Sequence, residues 1–503
     1  MTRRLLLALA TLAAALATPA LAGSAVVIGP GGGQPGTRLN FQFVARHTLY
    51  NRGMNAALAI YGHYVYVGNR TDGSKGHTHP GVLVVDVAEP RHPKLVGEFG
   101  REFVRNENRG QTSRELRVWP RKKLLMVMYF RCSSVIHDCP LPENAPNVWS
   151  IRFFDLSDPV HPRLVSTYVP SQKPHEMFLW VDPANRDRAL LYLSTPSGTS
   201  DVSEAEVIVT DISRARSGVF QEVAKAKWTQ LFAEQEPGHF AQCGGEGGDV
   251  FVHSLSVNPR GTRGYLAYWC GHFLVVDTSD LAANRADPEL RLLTPIENRP
   301  RWGNPHSHSA VKLPGRPYVL TTDEVYGDKL TPFDPPAEHD GCPWGWTRII
   351  SIGNPAAPEI VGEYKITENT GGFCRGAEGM NDEVVSYASH NPTLTRHLAL
   401  VSWHSGGLQA ISTRDAMRPR QVGWFSPWPL RVVSTEDPAL SSGPNKVVMW
   451  SYPIIRNGLV YVVDIRNGLY ILRYKGPDAG EVREIRFLEG NSNLGDALRI
   501  SGS

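Results

Sequence analysis

The chain has 503 residues, 41% of them hydrophobic and 20% charged, and its 52 basic and 49 acidic side chains leave a formal net charge of +3. That apolar content can fill a core, which excludes wholesale disorder, and the balanced charge offers no basic face for nucleic acid. The 47 Gly and 38 Pro exceed the ~12% these two residues usually contribute, a bias toward turns and short strands rather than a helical bundle.

In chain order, Arg3 and Arg4 precede an apolar run, and Ala20-Leu21-Ala22 supplies small residues at both recognition positions. This is the pattern of a secretory signal peptide over residues 1–22, which predicts a secreted or periplasmic protein with no membrane span after cleavage. Residues 23–37 form a Gly-rich N-terminal segment, 38–480 the folded domain, and 481–503 a C-terminal tail expected to be loose beyond Gly490.

Within 38–480 one pattern recurs. Residues 81–87, Gly-Val-Leu-Val-Val-Asp-Val, lead through a Pro-rich turn to Lys-Leu-Val-Gly-Glu-Phe at 94–99. Residues 151–168 and 348–364 repeat it closely, and weaker copies begin near 206, 273, 407 and 468. Each copy reads as two short strands about a turn that Pro terminates by removing a donor. Another pair of strand-like runs precedes each copy. Four strands per unit and seven units predict an all-β fold, a seven-bladed β-propeller of four-stranded antiparallel blades. Residues 39–44 and 481–487 are alternative candidates for the strand that closes the ring.

The Val84-Val85-Asp86-Val87 run and the Phe154-Asp155-Leu156-Ser157-Asp158-Pro159 turn resemble the LVIVD-repeat proteins, a family of exported propellers. The resemblance extends from about residue 53 to 474 and implies a fold but little established chemistry.

Propeller topology brings scattered residues together, because the first strand of each blade lines the central channel. His175, His253, His308 and His390 stand where the first strands of blades three to six begin. They are the candidate metal ligands, and a transition metal such as copper is the cofactor they imply. His306 and His404 belong to the same face, as do Asp323 and Glu324 at a second-strand end, Glu176 after His175, and Trp346 in a long loop; these are candidate ligand-binding residues. The alternative is structural, with the histidines donating to carbonyls of neighbouring blades. The cluster resembles the channel histidines of copper-using propellers, including the selenium-binding-protein group of thiol oxidases, but the cysteine motif of that group is missing.

The six cysteines map to the same face, and the expected disulfides are Cys132–Cys139, Cys243–Cys270 and Cys342–Cys374. Long loops pinned in this way, with aromatic side chains among them, point to a binding or interaction module, a monomer that takes a small-molecule or peptide ligand on the channel face. A metal-dependent, copper-type oxidoreductase is the alternative function.

Overall fold

A computed structural model describes residues 25–29, 34–71, 77–104, 111–131, 148–195, 204–236, 250–303, 305–325, 344–374, 385–438 and 440–502. The signal-peptide segment therefore lies outside the described residues. Among those described, no helix is long and apolar enough to cross a membrane.

The architecture is all-β, and its sheets are arranged in the manner of a propeller. The expected seven four-stranded blades are not what forms, because the strands pair into six sheets. Five are small. Two of them have four strands, one running Glu176–Val181, Ala189–Ser194, Val207–Arg214 and Val219–Ala226, the other beginning with Phe251–Val257. Three have five strands, and their innermost members include Ser307–Lys312, Pro392–Leu394 and Ile454–Arg456. The sixth sheet has eight strands and contains two of the sequence repeats.

Two physical causes change the count. Tyr64–Asn69 and Gln111–Trp119 join through one pair, Asn69 with Ser113, which fuses two repeat units into the eight-stranded sheet. Gly68 permits this approach, since a Cβ there would lie 2.0 Å from the Ser113 carbonyl oxygen. The Asn69 N–H then donates to Ser113 Oγ at 2.9 Å. Elsewhere the N-terminal segment adds outer strands. Ala25–Ile28 pairs in parallel with Glu359–Lys365, and Arg38–Leu39 pairs with Arg420–Phe425.

The ring closes through Phe41–His47, which pairs antiparallel with Gly468–Tyr474 as an outer strand. Of the two closing candidates, the N-terminal one takes this place. The C-terminal segment instead contributes Phe487–Leu488 to the inner edge, beside Ile454–Arg456. Beyond it the chain is not loose. Glu489, Asn491, Ser492 and Asn493 are buried. The Asn493 amide donates to the carbonyls of Val181 and Pro259, at 2.8 and 3.1 Å, and so ties two inner strands together.

The core is distributed between sheets rather than gathered at one centre. Trp180, Tyr192 and Val209 pack with Val252, Leu266 and Leu274 of the next sheet. Ala45, Tyr461 and Ile471 pack with Leu58, Val67 and Leu83, which joins the last sheet to the first. Hydroxyls stitch the inner strands across these seams. Ser194 Oγ donates to the His253 carbonyl at 2.7 Å, Thr393 Oγ1 to that of Pro453 at 2.6 Å, and Ser402 Oγ to that of Ser451 at 2.6 Å.

Candidate functional site

The inner strands are irregular at the end that carries the histidines. The register of Phe251–Val257 against its neighbour shifts between Val252 and Ser254, at His253. That of Ser307–Lys312 shifts between Ser307 and Ser309, at His308. A bulge of this kind re-aims one side chain out of the two-residue alternation. His390 comes just before Pro392–Leu394, and His404 follows Leu398–Ser402 with a positive φ of 27°. Sequence order scatters these residues over more than a hundred positions, and the ring of inner strands brings them together.

Glu324 is the hub. Its Oε1 lies 3.1 Å from His390 Nε2 and 3.3 Å from His404 Nε2, and its Oε2 lies 3.6 Å from His308 Nε2. All four residues are buried. Each of the three rings is held on its other nitrogen. His390 Nδ1 donates to the Trp450 carbonyl at 2.7 Å, His404 Nδ1 bonds Ser386 Oγ at 2.9 Å, and His308 Nδ1 bonds Ser309 Oγ at 2.8 Å. A second partner of this type fixes ring orientation and leaves Nε2 to act as a ligand.

Further out, His253 and His175 face one another, Nε2 to Nε2, at 3.0 Å. His253 is buried. Trp269 stacks against both His253 and His306, with centroid distances of 5.2 and 4.4 Å. His306 also supplies the carbonyl that accepts the Glu324 backbone N–H, at 2.9 Å.

The electrostatics have a clear direction. Burial is the largest influence on His175, His253, His306, His308 and His390 and favours their neutral form. It holds His253 and His306 down to about 3, His390 to about 4, and His175 and His308 well below the usual value. Burial pushes Glu324 up, but His390, His308 and His404 outweigh it and keep the carboxyl well below its ordinary range. Burial thus favours neutral imidazoles at those five positions beside an ionised carboxylate.

His390 sharpens the point. A carbonyl oxygen can only accept, so His390 Nδ1 carries the ring proton, and a neutral ring turns an Nε2 lone pair toward Glu324 at 3.1 Å. Two acceptors at that distance repel unless a cation is shared between them. Burial, which lowers the proton affinity of the ring, works against a proton in that role. The donor set, imidazole nitrogens with one carboxylate, suits a first-row transition ion. Within the cluster two groups meet the proximity a metal needs, His253 with His308 and Glu324, and Glu324 with His390 and His404.

The remaining expected residues sit apart from this hub. Asp323, next to Glu324, forms an ion pair with Arg348 instead, and burial raises it to about 6 against the pull of that guanidinium. Trp346 belongs to the same network, donating from Nε1 to Glu363 at 2.7 Å beneath Arg348 and Lys365. Glu176 is buried, and burial with the neighbouring Glu115 carboxyl pushes it well above its usual range. Glu115 itself pairs with Arg117 at 3.0 Å.

Sequence reading missed Ser309, Ser386, the Trp450 carbonyl and Trp269, none of which carries a local motif. Cys132, Cys139, Cys243 and Cys342 lie outside the described residues, as does the Cys374 side chain, so none of the three expected bridges falls wholly within them. Cys270 is buried, and no described cysteine is free.

Comparison with known proteins adds one match. The family model of the LVIVD repeat matches residues 52–100. That stretch holds the strands Asn55–Tyr61, Tyr64–Asn69, Val82–Asp86 and Lys94–Phe99, and none of the histidine-cluster residues. No curated protein matches the chain.

Proposed function

We propose that this LVIVD-repeat propeller is an exported transition-metal protein whose functional centre is the histidine–glutamate cluster in its channel. Its reaction class is a copper-type, metal-dependent oxidation or reduction of a small organic molecule. One observation carries the metal reading: three imidazoles anchored through Nδ1 turn Nε2 toward a single buried carboxylate, at 3.1 to 3.6 Å. A purely structural cluster needs no such arrangement, since serine and threonine hydroxyls already tie neighbouring sheets together. Of the three, His390 makes an inter-strand carbonyl bond, whereas the Nδ1 atoms of His308 and His404 bond serine hydroxyls.

His308, His390, His404 and Glu324 would hold the ion, with His253 and His175 beside them. A bound transition ion supplies Lewis acidity or electron transfer. The protein's own groups orient the rings through Ser309, Ser386 and Trp450, favour the neutral form of His308 and His390 by burial, and exclude bulk water. His175, only half-buried, marks the side from which a small molecule approaches. The ligand-binding reading of that face rests on loops that largely fall outside the described residues. The expected Cys243–Cys270 bridge belongs to the same reading of an oxidising compartment.

The test is elemental analysis of protein secreted from metal-replete cells, together with turnover measured before and after chelation. Stoichiometric metal, lost in a His308→Ala/His390→Ala variant that keeps its circular dichroism, is the expected result. Protein that neither carries a transition metal nor takes one up after chelation would overturn the reading. Turnover that survives chelation would overturn its redox part.

A further inference from the structure

Glu324 is approached from two sides. His390 and His404 converge on Oε1, at 3.1 and 3.3 Å, whereas His308 stands 3.6 Å from Oε2. The groups within metal-binding reach divide in the same way: His390 and His404 form one with Glu324, and His253 and His308 form the other. The carboxylate is the only member the two groups share. The two groups are adjacent, with the His308 and His390 ring centroids 3.8 Å apart, and within the second group those of His253 and His308 are 4.2 Å apart.

A single ion held by Glu324 with His308, His390 and His404 would leave His253 without a role, although it lies within metal-binding reach of Glu324 and His308. His253 cannot be dismissed as a packing residue. It is 5% exposed, and its Nε2 faces another imidazole nitrogen at 3.0 Å. A carboxylate with each oxygen facing separate imidazole donors is the arrangement that holds two cations a few ångströms apart.

We propose that the centre is dinuclear: Glu324 bridges two first-row divalent cations, one held by His390 and His404 and the other by His308 and His253. This rests on the metal reading above and extends it from one ion to two. The donors are imidazole and carboxylate, with no described thiolate among them, so the pair belongs to the Cu(II), Zn(II) or Fe(II) class rather than to Cu(I)–thiolate sites.

The experiment titrates chelator-treated full-length protein with Cu(II) alone. Bound metal is measured after gel filtration, and electron paramagnetic resonance looks for the half-field transition of two nearby spins. Two equivalents per chain with a half-field signal are expected. His404→Gln and His253→Gln should each reduce the bound copper to one equivalent and abolish the half-field signal. Saturation of the native protein at one equivalent overturns the dinuclear centre and leaves the metal reading standing. Binding of none overturns both. The native stoichiometry decides the matter even if a variant fails to fold.

Discussion

Replacing Glu324 by Gln gives a test in which the sign of the effect carries the answer. Glu324 is 5% exposed, and an ionised carboxylate so placed carries a desolvation penalty of several kcal/mol. If the surrounding rings are neutral, the metal-free protein gets little back, because lone pairs face the carboxylate. A Gln amide at the same place removes the charge and can donate to His390 and His404 Nε2, which now lie 3.1 and 3.3 Å from Oε1. Each such bond contributes about 1 kcal/mol, so metal-free E324Q should be more stable than metal-free native protein by about 1–3 kcal/mol. Urea unfolding at pH 7.5 in excess chelator measures this as a raised midpoint. Adding metal should reverse the order. The native protein gains ~2.7 kcal/mol when free metal is 100 times its dissociation constant, and the variant gains far less. Destabilisation of metal-free E324Q by about 3–5 kcal/mol, the usual consequence of breaking a buried ion pair, would refute the reasoning. It would mean that the imidazoles hold protons and that the cluster is an ion-pair network.

Three further outcomes are expected. Ser386→Ala removes the hydroxyl 2.9 Å from His404 Nδ1 and should weaken copper binding about 10–100-fold, read by competition with a chelator of known affinity; unchanged affinity would remove Ser386 from the site. Gly68→Ala places a Cβ against the Ser113 carbonyl and should destabilise the fold by about 1–3 kcal/mol, with faster amide exchange in Gln111–Trp119 by mass spectrometry. Glu222 is the clearest acid-sensitive group. Burial pushes it up, but Lys225, Ser171 and Tyr168 outweigh that and bring it down to about 2. Because its folded value lies below the unfolded one, its contribution is present above pH ~4.5 and lost as the pH falls toward 2. After discounting for solvent screening it amounts to about 1–2 kcal/mol, so Glu222→Gln should flatten the acid limb of a stability–pH curve.

The all-β class and the strand repeats were legible because Pro-terminated β-branched runs recur along the chain. The Val-Leu-Val-Val-Asp stretch lies inside residues 52–100, which match the LVIVD repeat model. The tally of separate four-stranded blades was not legible. Whether two repeats stay apart depends on a close approach such as Gly68 against Ser113, and no periodicity encodes that contact. The C-terminal segment misled for a related reason. Its Asn and Ser side chains read as loop composition, yet they satisfy carbonyls of the inner strands.

The sequence by itself determined which chemistry could meet: strand-initial histidines in adjacent repeats, drawn to one mouth of a channel by any ring of inner strands. The tertiary structure decided which of them meet, and how. Bulges at His253 and His308 re-aim those rings, and Glu324 becomes their common partner while its neighbour Asp323 turns to Arg348. The reason is physical. Alternation along a strand assigns a side chain to a face, but only packing between strands far apart in the chain sets the ångström-scale distances on which ligation depends.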